Sequence, residues 1–205
     1  MIWPFKKKDR FIKSTGRAVT EYNKLRASVG MAPASDDDYC EAVAWVVVFD
    51  LLAPEVADEC KCLPVDERGL FMMVYATYLS WLAMKVVESE FPPESWERIS
   101  LVLQREFSKQ SWHQPEIMKR LLDSMVEYLP IGKRTGKYLN ISLGPWPDAV
   151  MATNLAGFKL ENSTNIKFIL YIVTMSGKIV ETIAKMAPGA GSRGRNVVET
   201  HPNSY

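Results

Sequence analysis

A basic cluster near residue 135 comes closest to a phosphate-binding motif. The run 132–137 (GKRTGK) ends in the glycine and lysine typical of a phosphate-binding loop. Ile131 stands where that motif needs its first glycine, and Tyr138 stands where it needs serine or threonine. The cluster could still bind a phosphate or an acidic partner, and the alternative is a solvated turn. Its candidate residues are Lys133, Arg134, Lys137 and Tyr138.

Cysteine and histidine are too poorly spaced to predict a metal site. Cys60 and Cys62 are separated by one residue, whereas the cysteines of a zinc hairpin are usually separated by two to four. Cys40 and His113 lie far away in the sequence, and nothing local supports a nucleophilic Cys–His pair. The sequence therefore predicts reduced structural thiols, no metal and no cofactor, and it assigns no catalytic residue.

The acidic residues that attract attention have structural explanations. Asp36, Asp37 and Asp38 lack the alternating spacing and the glycine of a calcium loop, and they suit the positive start of a helix. Asp50 stands alone in an apolar run. It is either a buried acid with a shifted pKa or a residue that reaches water near a helix end.

The N-terminal head, residues 1–8, combines aromatic and basic residues. Such a composition favours the surface of an anionic membrane, although three lysines would give only weak and reversible attachment. The alternative is that the aromatic side chains pack on their own domain while the lysines stay in water. The membrane-surface candidates are Trp3, Phe5, Lys6, Lys7 and Lys8.

One uncharged segment must lie at the centre of the fold. Residues Leu70 to Met84 contain no charge, and at about 1.5 Å per residue a helix of this length falls short of the ~30 Å hydrocarbon core of a bilayer. The segment therefore predicts a helix, about residues 67–90, that other helices bury on all sides. A second long helix, 164–186, carries one polar stripe around an otherwise apolar surface and is predicted to be largely buried as well. The stripe consists of Lys167, Tyr171, Thr174, Lys178, Glu181 and Lys185.

Apolar spacing and proline punctuation predict the remaining elements. The segment 39–53 is interpreted as a helix because of its length and acidic start, although the valines within 42–49 would also suit a strand. Residues 130–147 are predicted to form an ordered loop, in which 138–143 could pair as a strand. The other predicted helices are 11–29, 94–109, 115–129 and 148–155.

Together these elements predict an all-α protein. The expected fold is a single-domain irregular bundle of about six or seven helices around the two largely buried ones. Residues 9–186 would form the helical domain, after the head and before a disordered tail, 187–205, that contains little apolar surface.

Composition narrows the function without identifying it. The 25 basic and 24 acidic residues nearly balance, which argues against a nucleic-acid partner. The absence of an export signal and the use of cysteine indicate a cytoplasmic protein. From the compactness of the chain and its cysteine usage we expect a bacterial origin. The expected function is non-catalytic binding of another protein. The alternatives are a peripheral membrane- or lipid-associated helical protein and an enzyme whose site converges only in three dimensions, and the oligomeric state is left open.

Overall fold

The computed structural model describes residues 36–134, 145–160 and 166–186, together with single positions between 24 and 32. Within these ranges the protein is all-helical and has seven helices, as the sequence predicts for a helical bundle. The head, the tail and the predicted strand 138–143 lie outside the described residues. The helices are α1 (Asp36–Leu51), α2 (Pro54–Cys62), α3 (Val65–Glu90), α4 (Ser95–Phe107), α5 (Pro115–Arg134), α6 (Trp146–Leu155) and α7 (Ile166–Met186).

Helix α3 is the centre of the bundle and contacts each of the other six described helices. Fifteen of its 26 residues are buried, with Phe71, Tyr75 and Leu79 among the largest fully buried side chains. It is long and apolar enough to cross a membrane, but 83% of its most apolar 18-residue window is buried inside the protein. The prediction of a central helix at about 67–90 is confirmed.

Helix α1 settles the choice between helix and strand for residues 42–49 in favour of the helix. Its valines do not prevent this, because Val43 and Val47 are fully buried one turn apart against neighbouring helices. Their packing outweighs the modest helix penalty of β-branched residues. Before α1, Lys24, Ala27 and Ser28 are helical and Gly30 has a φ of 75°, which fits the predicted end of the first helix.

Two local features differ from the sequence prediction. Helix α2 was not predicted: Pro54 occupies its first turn, where the missing N–H costs nothing, and Val56 anchors it in the core. Helix α5 continues through Pro130 to Arg134, where a loop was expected. A proline removes one helical hydrogen bond and fixes φ at a value that a helix can use, so it does not always end the helix.

Among the described helices, α7 packs chiefly against α1, α2 and α3. The prediction that only its polar stripe sees water is wrong, because Ile166 and Leu170 are 63% and 51% exposed. Tyr171, a member of that stripe, is instead partly buried. Apolar composition alone does not surround a helix with neighbours, and α7 is a flanking helix. The side chains it buries are Phe168, Ile172, Ser176, Ile179 and Ile183.

Candidate functional site

Asp50 lies at the end of α1 and is 5% exposed. It continues the buried face of that helix, since Val43, Val47 and Asp50 follow each other at steps of four and three residues. The helical spacing therefore turns a carboxylate into the core, where it needs hydrogen-bond donors. The sequence raised this possibility, and of its two alternatives the buried acid is correct.

Two tyrosines from distant parts of the chain supply those donors. The Tyr75 hydroxyl on α3 donates a short hydrogen bond to Asp50 Oδ2, and the Tyr171 hydroxyl on α7 donates to Oδ1 at 3.2 Å. Asp50, Tyr75 and Tyr171, here called the Asp50 cluster, thus join three helices through one carboxyl group. Tyr75 is fully buried, whereas Tyr171 is only partly buried.

Burial sets the protonation of this cluster. Desolvation raises the pKa of Asp50 above its ordinary value, the two tyrosine hydrogen bonds act in the opposite direction, and the charge of Glu55 adds to the increase. Burial, together with the charge of Asp50, also raises the pKa of Tyr75 and of Tyr171. Both phenols therefore keep their protons at physiological pH and remain donors to Asp50.

Aromatic packing holds the two tyrosine rings in place. Trp146 meets Tyr75 edge to face, with ring centroids 5.9 Å apart, and Phe168 stacks on Tyr171 at 5.7 Å. Each such pair adds about 0.5 to 1.5 kcal/mol beyond the area that it buries. The Tyr78 hydroxyl, 2.9 Å from Ser176 Oγ, makes a second polar contact between α3 and α7. The donors of Asp50 are therefore held by the core.

Beside the Asp50 cluster, a cavity of about 400 Å³ opens between α1 and α7; we call it the α1–α7 groove. Phe49 lines it with 68% of its surface exposed, and the ring of Trp45 lies 5.5 Å from that of Phe49. Its lining is mostly apolar, with Asp50 as the buried acid. The residues of the groove are Val46, Phe49, Asp50, Ala53, Glu55, Tyr171, Met175, Lys178, Ile179 and Thr182.

A second, smaller cavity of about 270 Å³ shares Glu55 and Tyr171 with the groove. It also contains Asp58, Glu59 and Lys167. Four carboxyl groups line the two cavities together, against two lysines, and one of the four, Asp58, is paired with Lys61 at 3.0 Å. This face of the molecule therefore has a small excess of carboxyl groups. Chemically, such a surface binds apolar side chains next to a cation or a hydrogen-bond donor.

The residues that the sequence selected as candidates lie elsewhere. Lys133 and Arg134 belong to the last turn of α5, so the predicted basic loop is partly helix, while Lys137 and Tyr138 lie outside the described residues. The membrane-surface candidates Trp3, Phe5, Lys6, Lys7 and Lys8 also lie outside them. No described contact brings either set to the Asp50 cluster.

The cysteines are separated in the structure. Cys40 is buried on α1, Cys62 is exposed, and the Cys60 thiol donates to Met72 Sδ at 3.1 Å. Burial, with the charge of Glu59, raises the pKa of Cys60 to about 11, so the thiol stays protonated. In the part of the chain that the structure describes, no three His, Cys, Asp or Glu residues are grouped in a way that could hold a metal ion.

Comparisons with protein-family models, with curated proteins and with solved structures find no match for this chain. The function must therefore be argued from the chemistry of its own residues.

Proposed function

We propose that the protein acts without catalysis, by binding a helical segment of another protein in the α1–α7 groove. The observation that carries the proposal is the exposed ring of Phe49 beside a groove with a buried carboxyl group. Burying a side chain of this size gains about 1.5 to 3 kcal/mol. Aromatic residues that a partner can cover are the common anchors of protein interfaces.

The lining favours an amphipathic helix over a polar ligand. Met175 and Ile179 are one turn apart on α7 and face Val46 and Phe49 of α1 across the groove, which gives a partner helix two apolar walls. Methionine adapts its shape to different apolar partners. A partner helix with apolar residues at steps of three and four fits such a groove.

The charges favour a basic partner. Glu55 and Asp58 are exposed on α2. Glu55 lines the groove, whereas Asp58 lines the adjoining smaller cavity and is paired with Lys61 at 3.0 Å. Among the described residues, Lys178 is the cation that lines the groove itself. A lysine or arginine on the partner helix would approach the Glu55 carboxylate, and this attraction would raise the association rate more than the affinity. The partner we infer therefore carries an apolar face bordered by lysine or arginine.

Two synthetic helices of about five turns test this proposal, one with a leucine face and lysines, the other with glutamate in place of every lysine. Fluorescence anisotropy should show binding of the lysine peptide and much weaker binding of the glutamate peptide. Phe49→Ala should weaken the lysine peptide about tenfold, since the lost burial is worth at least one decade of affinity. Leu155→Ala is the matched control, because Leu155 is 65% exposed on α6 and does not line the groove. This variant should bind the lysine peptide as tightly as the native protein does.

If the Phe49→Ala and Leu155→Ala variants bound the lysine peptide equally well, the groove would not be its binding site. Equal binding of the two peptides would contradict the basic partner. Retention by anionic vesicles at physiological salt, lost on removal of residues 1–8, would favour the membrane-associated alternative over the protein partner.

A further inference from the structure

Another cavity, about 520 Å³, lies between α3, α4 and α5 and shares no residue with the α1–α7 groove. We call it the Thr77 cavity. Its innermost residues include Thr77, Ser80, Leu103 and Phe107, which are all buried, while Glu116 and Lys119 are exposed at its rim. The remaining lining residues are Trp96, Ser100, Gln104, Ser108, His113, Pro115, Met118 and Leu122.

Thr77 and Ser80 are the exceptions within the central helix. They are the only serine or threonine residues in the uncharged segment Leu70 to Met84, and both line this cavity, where they are 2% and 7% exposed. A hydroxyl in a core is costly unless it is hydrogen-bonded, so an apolar residue would be the simpler choice for packing alone. Because both residues border the Thr77 cavity, their hydroxyls are placed where a ligand could contact them.

The hydrogen bonds of these hydroxyls define what the ligand must offer. Thr77 Oγ1 donates to the Met73 carbonyl at 2.7 Å, and Ser80 Oγ donates to the Ala76 carbonyl at 2.8 Å. The single proton of each hydroxyl is therefore already in a hydrogen bond, and only the oxygen lone pairs remain to accept a hydrogen bond from a ligand.

Two less buried serines line the cavity from α4 and from the residue that follows it. Ser100 and Ser108 donate to the carbonyls of Glu97 and Arg105, at 2.7 and 2.9 Å. Because each of these four hydroxyls donates its proton to a backbone carbonyl, it can only accept a hydrogen bond from a ligand. Of the four, Thr77 and Ser80 are buried, whereas Ser108 is exposed. A ligand that binds beside Thr77 and Ser80 would therefore be mostly apolar and would donate a hydrogen bond to one of these two hydroxyls.

We propose that the Thr77 cavity binds a small, uncharged, mostly apolar molecule that carries an N–H or O–H donor, and that the donor bonds to Thr77 or Ser80. The aromatic rings of Trp96 and Phe107 supply apolar surface for such a ligand. The proposal does not depend on the α1–α7 groove, and either site could exist without the other.

Indole and indene form a matched pair of probes, because they share size and shape and only indole has an N–H donor. Both are titrated into isotope-labelled protein, and binding is followed by backbone amide chemical shifts. We expect shifts at α3, α4 and α5 residues of the cavity, with indole bound about five- to tenfold more tightly than indene, as one hydrogen bond to a buried acceptor allows.

Substitutions show whether the buried hydroxyls cause this preference. The variant Thr77→Val, Ser80→Ala removes both acceptors with little change in volume and should bind indole no better than indene. Thr153→Val is the control, because Thr153 is fully buried and makes the same bond, to the Ala149 carbonyl at 2.8 Å, but does not line the cavity. That variant should keep the preference for indole.

Three results would overturn the proposal. They are no shift with either probe, shifts confined to other helices, and equal affinity of the native protein for indole and indene. If the double variant does not fold, Thr77→Val alone replaces it, and an unchanged preference for indole in every folded hydroxyl variant also counts against the proposal.

Discussion

The two long apolar helices, α3 and α7, have similar compositions and very different surroundings. Helix α3 contacts every other described helix, whereas α7 packs chiefly against α1, α2 and α3 and leaves Ile166, Leu170 and Val180 exposed. Both contribute a tyrosine to Asp50, yet the Tyr75 hydroxyl comes from the core and the Tyr171 hydroxyl from the edge of a groove. The comparison shows that the number of helices packed around a helix, more than its apolar composition, determines whether its side chains belong to the core or to the surface.

The largest expected difference between these helices is in the cost of truncating a leucine. Leu79→Ala should lower the free energy of unfolding by about 2 to 5 kcal/mol, because Leu79 is fully buried and its removal leaves a cavity. Leu170→Ala should change it by less than about 0.5 kcal/mol, since Leu170 is half exposed. Urea denaturation of both variants measures the contrast, and similar losses would erase the distinction between core and flank.

The next effect separates the two donors of Asp50. Tyr75→Phe should cost about 1 to 3 kcal/mol, because it leaves a buried carboxyl group with one donor fewer. Tyr171→Phe should cost less, about 0.5 to 1.5 kcal/mol, because Tyr171 is partly open and its bond is longer. A larger loss for Tyr171→Phe in urea denaturation would mean that α7, and not α3, holds the carboxyl group.

The smallest effect is a pH dependence that belongs to Asp50 alone. Because burial raises its pKa, the folded protein binds a proton more tightly than the unfolded chain does. The free energy of unfolding should therefore fall as pH rises from about 4, by at most about 1.4 kcal/mol per pH unit, until Asp50 is ionised in the folded state. Asp50→Asn should lack this decrease.

Denaturation of the native protein and the Asp50→Asn variant between pH 4 and 8 measures this contribution, and the native protein should lose stability relative to the variant. A relative gain for the native protein would show that the two tyrosine hydrogen bonds outweigh desolvation. In that case the pKa of Asp50 would lie below its ordinary value.

Much of the fold could be predicted because helical spacing is a local signal. The central helix, α1 and the end of the first helix at Gly30 follow from apolar periodicity, charge and glycine. Helix α2 was missed because nine residues carry too few periods to stand out from a turn. The exposure of α7 was missed because the sequence does not say how many neighbours a helix has.

The candidate site could be predicted only in part. Asp50 stood out as one charge in an apolar run, but its partners are 25 and 121 residues away, and no local pattern connects them. Tyr75 looked like core and Tyr171 looked like part of a solvated stripe. The same holds for Thr77 and Ser80, because nothing local in the sequence indicates that a cavity lies beside these two residues of α3.

The hydrogen bond between Asp50 and Tyr171 also has a consequence for biosynthesis. On the ribosome, α1 is made well before α7, and Tyr171 can reach Asp50 only after 121 further residues have been joined. Until then the carboxyl group has at most one of its two tyrosine donors, and one wall of the groove is absent. A partner that binds in this groove would therefore bind chains in which α7 has docked and would not bind nascent chains that still lack α7.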